Sequence, residues 1–389
     1  MKTGWETKRV SEVAEHSLGK MLDKAKNKGE LKPYLRNLNV RWFGFDLSDV
    51  LEMRFLPEET AKYTAVKGDV LICEGGYPGR AAIWEQNESI YFQKALHRVR
   101  FHEPERSKWF LYYLHARDLD GTLKNHFNGA GIQHFTGEAL AQFEVPLPPL
   151  PEQQRVVGIL DEAFDGIATA KANAEKNLQN ARALFESYLQ AVFTQRGPGW
   201  VEKTLGEVCK FIGGSQPPKS VFSKTKTADK VRLIQIRDYK SDKNVVYIPR
   251  SQARRFCQAN DIMIGRYGPP IFQILRGLEG AYNIALMKAV PDESRVSPDY
   301  LFYFLKHSTI QEYIIYHSER AAGQSGLNKD TLEPYPIALP TLAEQQKIVQ
   351  TTMELEAETQ RLATLYERRL AALEELKKSL LHQAFSGQL

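Results

Sequence analysis

Between residues 157 and 192 the chain places an apolar side chain at almost every third or fourth position. The series is Val157, Leu160, Phe164, Ile167, Lys171, Ala174, Leu178, Ala181, Phe185, Tyr188 and Val192, interrupted only by the lysine. Ile348, Leu355, Leu362, Tyr366, Leu373, Leu376 and Leu380 repeat the rhythm near the other end, with Thr352, Thr359, Arg369 and Gln383 at weaker positions. A spacing of three and four is one face of an α-helix. A helix of about 40 residues rises on the order of 60 Å, too long for the core of one small domain. Two such stripes in one chain predict an antiparallel coiled coil; two unrelated amphipathic helices, each on its own domain, are the alternative.

The remaining segments have another texture. Short β-branched runs such as DVLIC from Asp69 and KVRLIQIRDY from Lys230 lie between Gly/Pro turns, while SKWFLYYLHARDL from Ser107 and SPDYLFYFLKHS from Ser297 suit helices. Each long stripe opens behind prolines, which end a preceding element but are tolerated in a first helical turn.

The two halves are copies. PLPPLPEQQRVVGIL from Pro146 matches ALPTLAEQQKIVQTT from Ala338 without a gap at an offset of 192, and Leu178, Leu184, Ser187, Leu189 and Phe193 meet Leu370, Leu376, Ser379, Leu381 and Phe385. Upstream, WETKRVSEV from Trp5 answers WVEKTLGEV from Trp200, and KGDVLICEGGYPGR from Lys67 answers ANDIMIGRYGPPI from Ala259. Repeats of this kind fix the organisation. Residues 1–150 and 197–342 form two α/β units, and 151–196 and 343–389 form two long helices. The class is α+β, with the helices as an antiparallel pair and a pseudo-two-fold symmetry inside one chain.

Composition bounds the chemistry. At 42% apolar and 25% charged residues the 389-residue chain is of the soluble globular kind. It has no run of about 18 apolar residues to span a membrane and no signal-peptide core. Cys73, Cys209 and Cys257 stand apart, as expected of buried thiols in a reducing cytoplasm. The net charge of +5 is uneven: residues 197–342 carry 20 Lys/Arg against 14 Asp/Glu, whereas residues 1–150 carry 21 against 20. That excess is compatible with a nucleic-acid surface in the second unit.

Catalytic signatures fail on inspection. GGSQPPKS, Gly213 to Ser220, is similar to a phosphate loop, but Pro218 removes the backbone N–H that would hold a phosphate. YGPPIF from Tyr267 is similar to the Asn/Asp-Pro-Pro-aromatic motif of amino-methyltransferases, yet Gly268 stands where the hydrogen-bonding amide or carboxylate must be. The nine histidines are scattered, no metal-ligand spacing occurs, and no carboxylates pair as an acid/base dyad. The chain reads as non-enzymatic. What recurs instead is Gly with aromatic, Arg, Gln and Ser in four loops: EGGYPGR (74–80), GRYGPP (265–270), GAGIQHFTG (129–137) and AAGQSGLNKD (321–330). Glycine admits close backbone approach, and the other types reach bases and phosphates. The lysine run Lys20, Lys24, Lys26, Lys28 and Lys32 reads as a solvated face or a phosphate track.

With LKPYLRNLNV from Leu31, FIGGSQPPK from Phe211 and HQAFSGQL from His382, the duplicated units and their Glu-Gln-Gln helix starts resemble the specificity subunit of type I restriction–modification enzymes over essentially the whole chain. The resemblance implies that each unit is a target-recognition domain for one half of a bipartite site on double-stranded DNA. It implies that the helices set the spacing and dock methyltransferase subunits, two per chain. It implies no cofactor on this chain: S-adenosylmethionine sits on those partners, and ATP and Mg on a restriction or translocase subunit where one is present. The DNA contacts expected are Arg36, Asn37, Arg41, Tyr77, Arg80, Gln133 and His134 in the first domain. In the second they are Ser215, Gln216, Lys219, Arg237, Tyr239, Arg266, Tyr267, Gln324 and Ser325. Docking is expected at Pro149, Glu152, Gln153, Gln154, Glu344, Gln345 and Gln346, and the helix-pair core at Leu160, Phe164, Ile167, Leu178, Phe185, Leu355, Leu362, Tyr366, Leu373 and Leu380. A coiled-coil scaffold for proteins alone, or a fused DNA methyltransferase, are the rival readings.

Overall fold

The computed structural model describes residues 5–23, 25–268, 270–320 and 326–389. The chain divides into two compact units, Met1–Glu175 with Arg368–Leu389, and Lys176–Glu367.

In the first unit, strand Glu6–Arg9 pairs antiparallel with Glu144–Leu147, so the domain closes just before its long helix starts. An antiparallel sheet follows in the order Ala14–Leu18, Leu96–Phe101, Val70–Cys73, Ala81–Ile83. Val70–Cys73 is apolar throughout because both its faces are covered. Val70 and Ile72 point into the core under helix Arg106–Leu119, and Leu71 and Cys73 into a second cluster with Leu35, Val40 and Phe92. A second sheet runs Leu51–Phe55, Glu30–Leu35, Ile90–Phe92, Thr64–Ala65, with a parallel pair at its centre.

The second unit repeats this plan strand for strand. Val201–Thr204 pairs with Pro336–Leu339. One sheet runs Cys209–Gly213, Leu286–Pro291, Ile262–Gly265, Gln273–Leu275; the other runs Tyr247–Pro249, Lys230–Ile234, Gly280–Tyr282, Phe256–Cys257, again with a parallel centre. The burial alternation recurs, Ile262 and Ile264 facing one core and Met263 the other. The first unit adds a small hairpin, Val40–Arg41 with Gly44–Phe45.

The long helices run Leu150–Thr194 and Leu342–Ser386. Within the first unit they pair antiparallel: Arg155 Nη2 donates to the Leu389 carbonyl at 2.7 Å, and Lys171 meets Glu374 at 2.6 Å. In the second unit Arg182 meets Glu367 at 2.9 Å, while Phe193 and Val349 share one core. The seam differs in detail from the expected one. Its buried members are small or belong to the domain contacts: Val156, Leu160, Ala174, Ala181, Leu189 and Phe193 on one helix, Val349, Thr352, Thr359, Ala363, Leu381, Ala384 and Phe385 on the other. Phe164, Ile167, Leu178, Phe185, Leu355, Leu362, Tyr366, Leu373 and Leu380 are half-buried. Thr352 and Thr359 sit inside because their hydroxyls donate to the Ile348 and Leu355 carbonyls at 2.7 and 2.8 Å. Arg369 is exposed, and so is Leu376 at 47%; neither belongs to the seam.

Candidate nucleic-acid interface

The loop joining Val70–Cys73 to Ala81–Ile83 reverses the chain through Gly76 and Gly79, both at positive φ. A Cβ on Gly79 would stand 2.5 Å from Leu123 Cδ2, so this turn needs glycine for space as well as conformation. The tight turn brings Arg80 over the Tyr77 ring at 5.2 Å, and Arg80 Nη2 donates to the Asn37 carbonyl at 2.9 Å. Asn37 Nδ2 donates to the Gly75 carbonyl at 3.0 Å. The Tyr77 hydroxyl and Trp42 Nε1 both donate to Asp118 at 3.2 Å, and burial holds that carboxyl above its ordinary range. Asn37 and His134, with Glu74, Gly75 and Gly76, line a cavity of about 500 Å³ that also takes in Met21, Leu22, Gln93 and Lys94. Gln133 is exposed beside the bridge between Asn128 and His134.

Arg36 and Arg41 stay outside this group. Arg36 donates to Asp49 at 2.7 Å with its side chain largely buried, and Arg41 pairs with Asp46 at 3.3 Å; both hold their own hairpin. The lysine run does not form one stripe. Lys20 is buried and ion-paired with Glu59, Lys32 pairs with Glu30 at 2.8 Å, and Lys24 lies outside the described residues.

In the second unit Arg266 makes a like contact from the turn after Ile262–Gly265, its guanidinium 5.4 Å over the Tyr267 ring. Its Nε donates to the Leu327 carbonyl at 2.9 Å and its Nη1 to the Ile284 carbonyl at 3.2 Å. The segment that resembled a phosphate loop is a framework bend. A Cβ on Gly214 would lie 1.9 Å from the Asn283 carbonyl oxygen, and the Ser215 amide donates to the Tyr282 carbonyl at 3.2 Å. Gln216 and Lys219 follow, both exposed, and Arg237 is exposed on the neighbouring turn. Tyr239 departs from the expected surface contact. Its hydroxyl is buried without a partner among the described residues, and desolvation pushes its ionisation far up, so it is a core ring rather than a surface contact. Gln324 and Ser325 lie outside the described residues.

The Glu-Gln-Gln segments divide by face. Gln153 and Gln345 are 1% and 0% exposed, which removes them from the expected docking surface. Gln153 Nε2 donates to the Pro148 carbonyl at 2.7 Å, and Gln345 Nε2 donates to Pro340 and Arg295 carbonyls at 3.0 and 2.9 Å while its Oε1 accepts from the Ser297 amide at 2.8 Å. They tie the helix start to the domain it follows. Pro149, Gln154, Glu344 and Gln346 are exposed. Glu152 is half-buried and bound to Arg155 at 2.7 Å, and Glu344 closes a capping box with Thr341.

Glu74, Met21, Leu22, Gln93 and Lys94 were not expected at the cavity. Glu74 opens the glycine loop 74–80 but was not among the expected contacts, and Met21, Leu22, Gln93 and Lys94 lie on segments unremarkable by composition that the fold brings to the cavity.

Comparison with known proteins gives a consistent result. A family model described as the type I restriction modification DNA specificity domain matches residues 2–179 and 198–367. The type I restriction enzyme EcoBI specificity subunit of Escherichia coli is 23% identical over 354 residues, covering 79% of this chain and 71% of that protein. The type I restriction enzyme StySPI specificity subunit of Salmonella potsdam is 20% identical over 429 residues, covering 99% and 89%. Among solved structures, a chain described under complex assembly and conformational transition of the type I R-M system superposes with a TM-score of 0.80 at 20% identity, covering 100% of this chain and 99% of that one. The HsdS subunit from Thermoanaerobacter tengcongensis gives 0.63 at 20% identity, covering 100% and 98%.

Proposed function

The chain belongs to the type I restriction–modification DNA specificity family, and from that premise we propose that each unit reads one half of a gapped, bipartite site on double-stranded DNA. It is a non-catalytic recognition subunit. The observation that carries the half-site reading is one framework built twice with different loops. Each unit fixes an arginine over a tyrosine in the turn that follows its inner strand, but at different points of that turn, and the side chains around the pair differ. Duplex DNA repeats its groove geometry, so two like frames with unlike loops suit a target whose halves differ.

The antiparallel helices then set the gap, and the exposed Pro149, Gln154, Glu344 and Gln346 near their starts form equivalent docking sites for two methyltransferase subunits. Those partners bring S-adenosylmethionine, and a restriction subunit, where present, brings ATP and Mg. The complex acts in the cytoplasm. No helix of the described residues is long and apolar enough to cross a membrane.

The test is a genome-wide map of N6-methyladenine in the source organism with and without the gene. A gapped two-part motif that vanishes on deletion supports the proposal. A motif that persists, or one without a gap, refutes it.

A further inference from the structure

Building on that half-site reading, we infer that Glu74 and Arg266 are counterpart specificity residues, seated at the same point of the repeated frame and carrying opposite chemistry. The offset of 192 that matches Lys67 with Ala259 places Glu74 opposite Arg266, and hydrogen bonds fix the equivalence. The Glu74 amide donates to the Ala95 carbonyl at 2.9 Å, and its carbonyl accepts from the Phe135 amide at 2.8 Å. The Arg266 amide donates to the Ala285 carbonyl at 2.9 Å, and its carbonyl accepts from the Leu327 amide at 2.9 Å. The adjoining segments are anchored alike. Gln93 donates to the Leu35 carbonyl as Asn283 does to Ile234, and Gly19 donates to Leu96 as Gly214 does to Leu286. Each residue also directly follows an inner strand, after Cys73 or Gly265.

Because both backbone groups are bound to crossing segments, each side chain departs from a fixed point. Preorganisation of this kind suits a reading residue. Arg266 is oriented further by Leu327, Ile284 and the Tyr267 ring, which leave Nη2 and one Nη1 hydrogen without a partner among the described residues. Two donors on one guanidinium edge match O6 and N7 of guanine in the major groove. Glu74 lines the first unit's cavity, and its carboxylate has no hydrogen bond or ion pair among the described residues. Next to DNA a carboxylate repels phosphate, so it has no use as a backbone contact. It is an acceptor only; the major-groove donors are the amino groups at cytosine N4 and adenine N6, and because adenine sets its N7 acceptor beside that amino group, where it repels a carboxylate, cytosine is the better match. The frame thus presents a donor to one half-site and an acceptor to the other.

The experiment uses the full chain assembled with its methyltransferase subunits. Duplexes randomised across the site are selected by binding and sequenced, for wild type, Glu74→Arg, Glu74→Gln and Arg266→Gln. Glu74→Arg is expected to switch one position of one half-site from cytosine to guanine, changing preference there by about 10- to 100-fold, with the other half-site unchanged. Glu74→Gln, close to isosteric, is expected to admit adenine at that position, and Arg266→Gln to relax guanine in the other half-site only. Variants that bind with unaltered base preference, or that weaken both half-sites equally, overturn the assignment. A wild-type complex that selects no two-part sequence instead defeats the half-site reading on which the assignment rests.

Discussion

The hydroxyl of Tyr112 donates a 2.7 Å hydrogen bond to Asp161, which Lys108 also approaches at 2.7 Å. This carboxylate pins the domain helix Arg106–Leu119 to the long helix that follows the domain. In the second unit Tyr303 and Lys306 hold Glu356 in the same manner, at 2.6 and 2.8 Å. Each clamp sets a tyrosine and a lysine on one carboxylate, an aspartate in the first unit and a glutamate in the second. Asp161→Ala leaves a phenol and an ammonium unpaired at a partly buried joint. It is expected to lower stability by about 1–3 kcal/mol in denaturant unfolding, with Tyr112→Phe costing less.

The buried glutamine of the repeated segment predicts a separation of roles. Gln345→Leu leaves the Ser297 amide and the Arg295 and Pro340 carbonyls without their partner, and is expected to cost about 2 kcal/mol or more. Gln346→Ala, one residue on and exposed, is expected to leave stability within about 0.5 kcal/mol of wild type and to weaken methyltransferase capture. Thermal unfolding and a pull-down with the modification subunit check the two arms.

The neighbouring glycines Gly213 and Gly214 give a sharper contrast. A Cβ at Gly213 meets nothing within 4 Å, whereas one at Gly214 collides with the Asn283 backbone. Gly214→Ala is expected to be strongly destabilising and Gly213→Ala tolerated, measured as the shift in thermal midpoint. Equal effects would dispute the framework role of this bend.

Two buried imidazoles make stability fall on mild acidification. His97, its Nε2 3.0 Å from the Phe135 carbonyl oxygen, is pushed down to about 4 by burial. His115 is pushed down to about 3 by burial, then by the charge of Lys377. Unfolded histidine takes its proton near pH 6.5, so between that value and the folded ones protons bind the unfolded chain preferentially. Stability is full above about pH 6.5 and falls as pH drops, by up to about 2 kcal/mol per histidine at pH 5. His115→Phe keeps a ring beside Trp42 and Phe43 without a titrating nitrogen, and is expected to flatten this slope in unfolding curves taken from pH 7 to pH 5.

The helix seam carries its own prediction. Ala181 is 5% exposed where the two long helices of the second unit approach, so Ala181→Phe is expected to cost about 1–3 kcal/mol by overpacking. Leu376→Lys, outside the seam, is expected to be neutral in the same thermal melt.

Periodicity was enough to find the long helices and the duplication, because a stripe of spacing three and four survives any change of partner. It could not tell which stripe members are innermost. Close helix approach buries Ala174 and Ala181 more deeply than Phe164 or Leu376 in the same stripes, and adds Ala363, which the stripe did not include. The candidate site was legible as loops and not as side chains. Tyr77, Arg80 and Arg266 were visible as aromatic and basic residues in glycine turns, whereas Tyr239, beside Arg237 in a turn without glycine, packs inward. Glu74 stands opposite Arg266 when the two copies are matched, and the backbone hydrogen bonds on both sides of it show that the two residues are held at the same point of the frame.

The first unit is discontinuous in the chain. Its core includes Leu381 and Phe385, with the Phe385 ring against Trp109 and Tyr113 at 4.8 and 5.2 Å. The second unit draws only on residues between Lys176 and Glu367. During synthesis the order of completion therefore reverses the order of translation. The domain that leaves the ribosome first must wait, with the side of Trp109 that meets Phe385 open, until the helical turns carrying Phe385 are made, while the later domain already has every segment it needs.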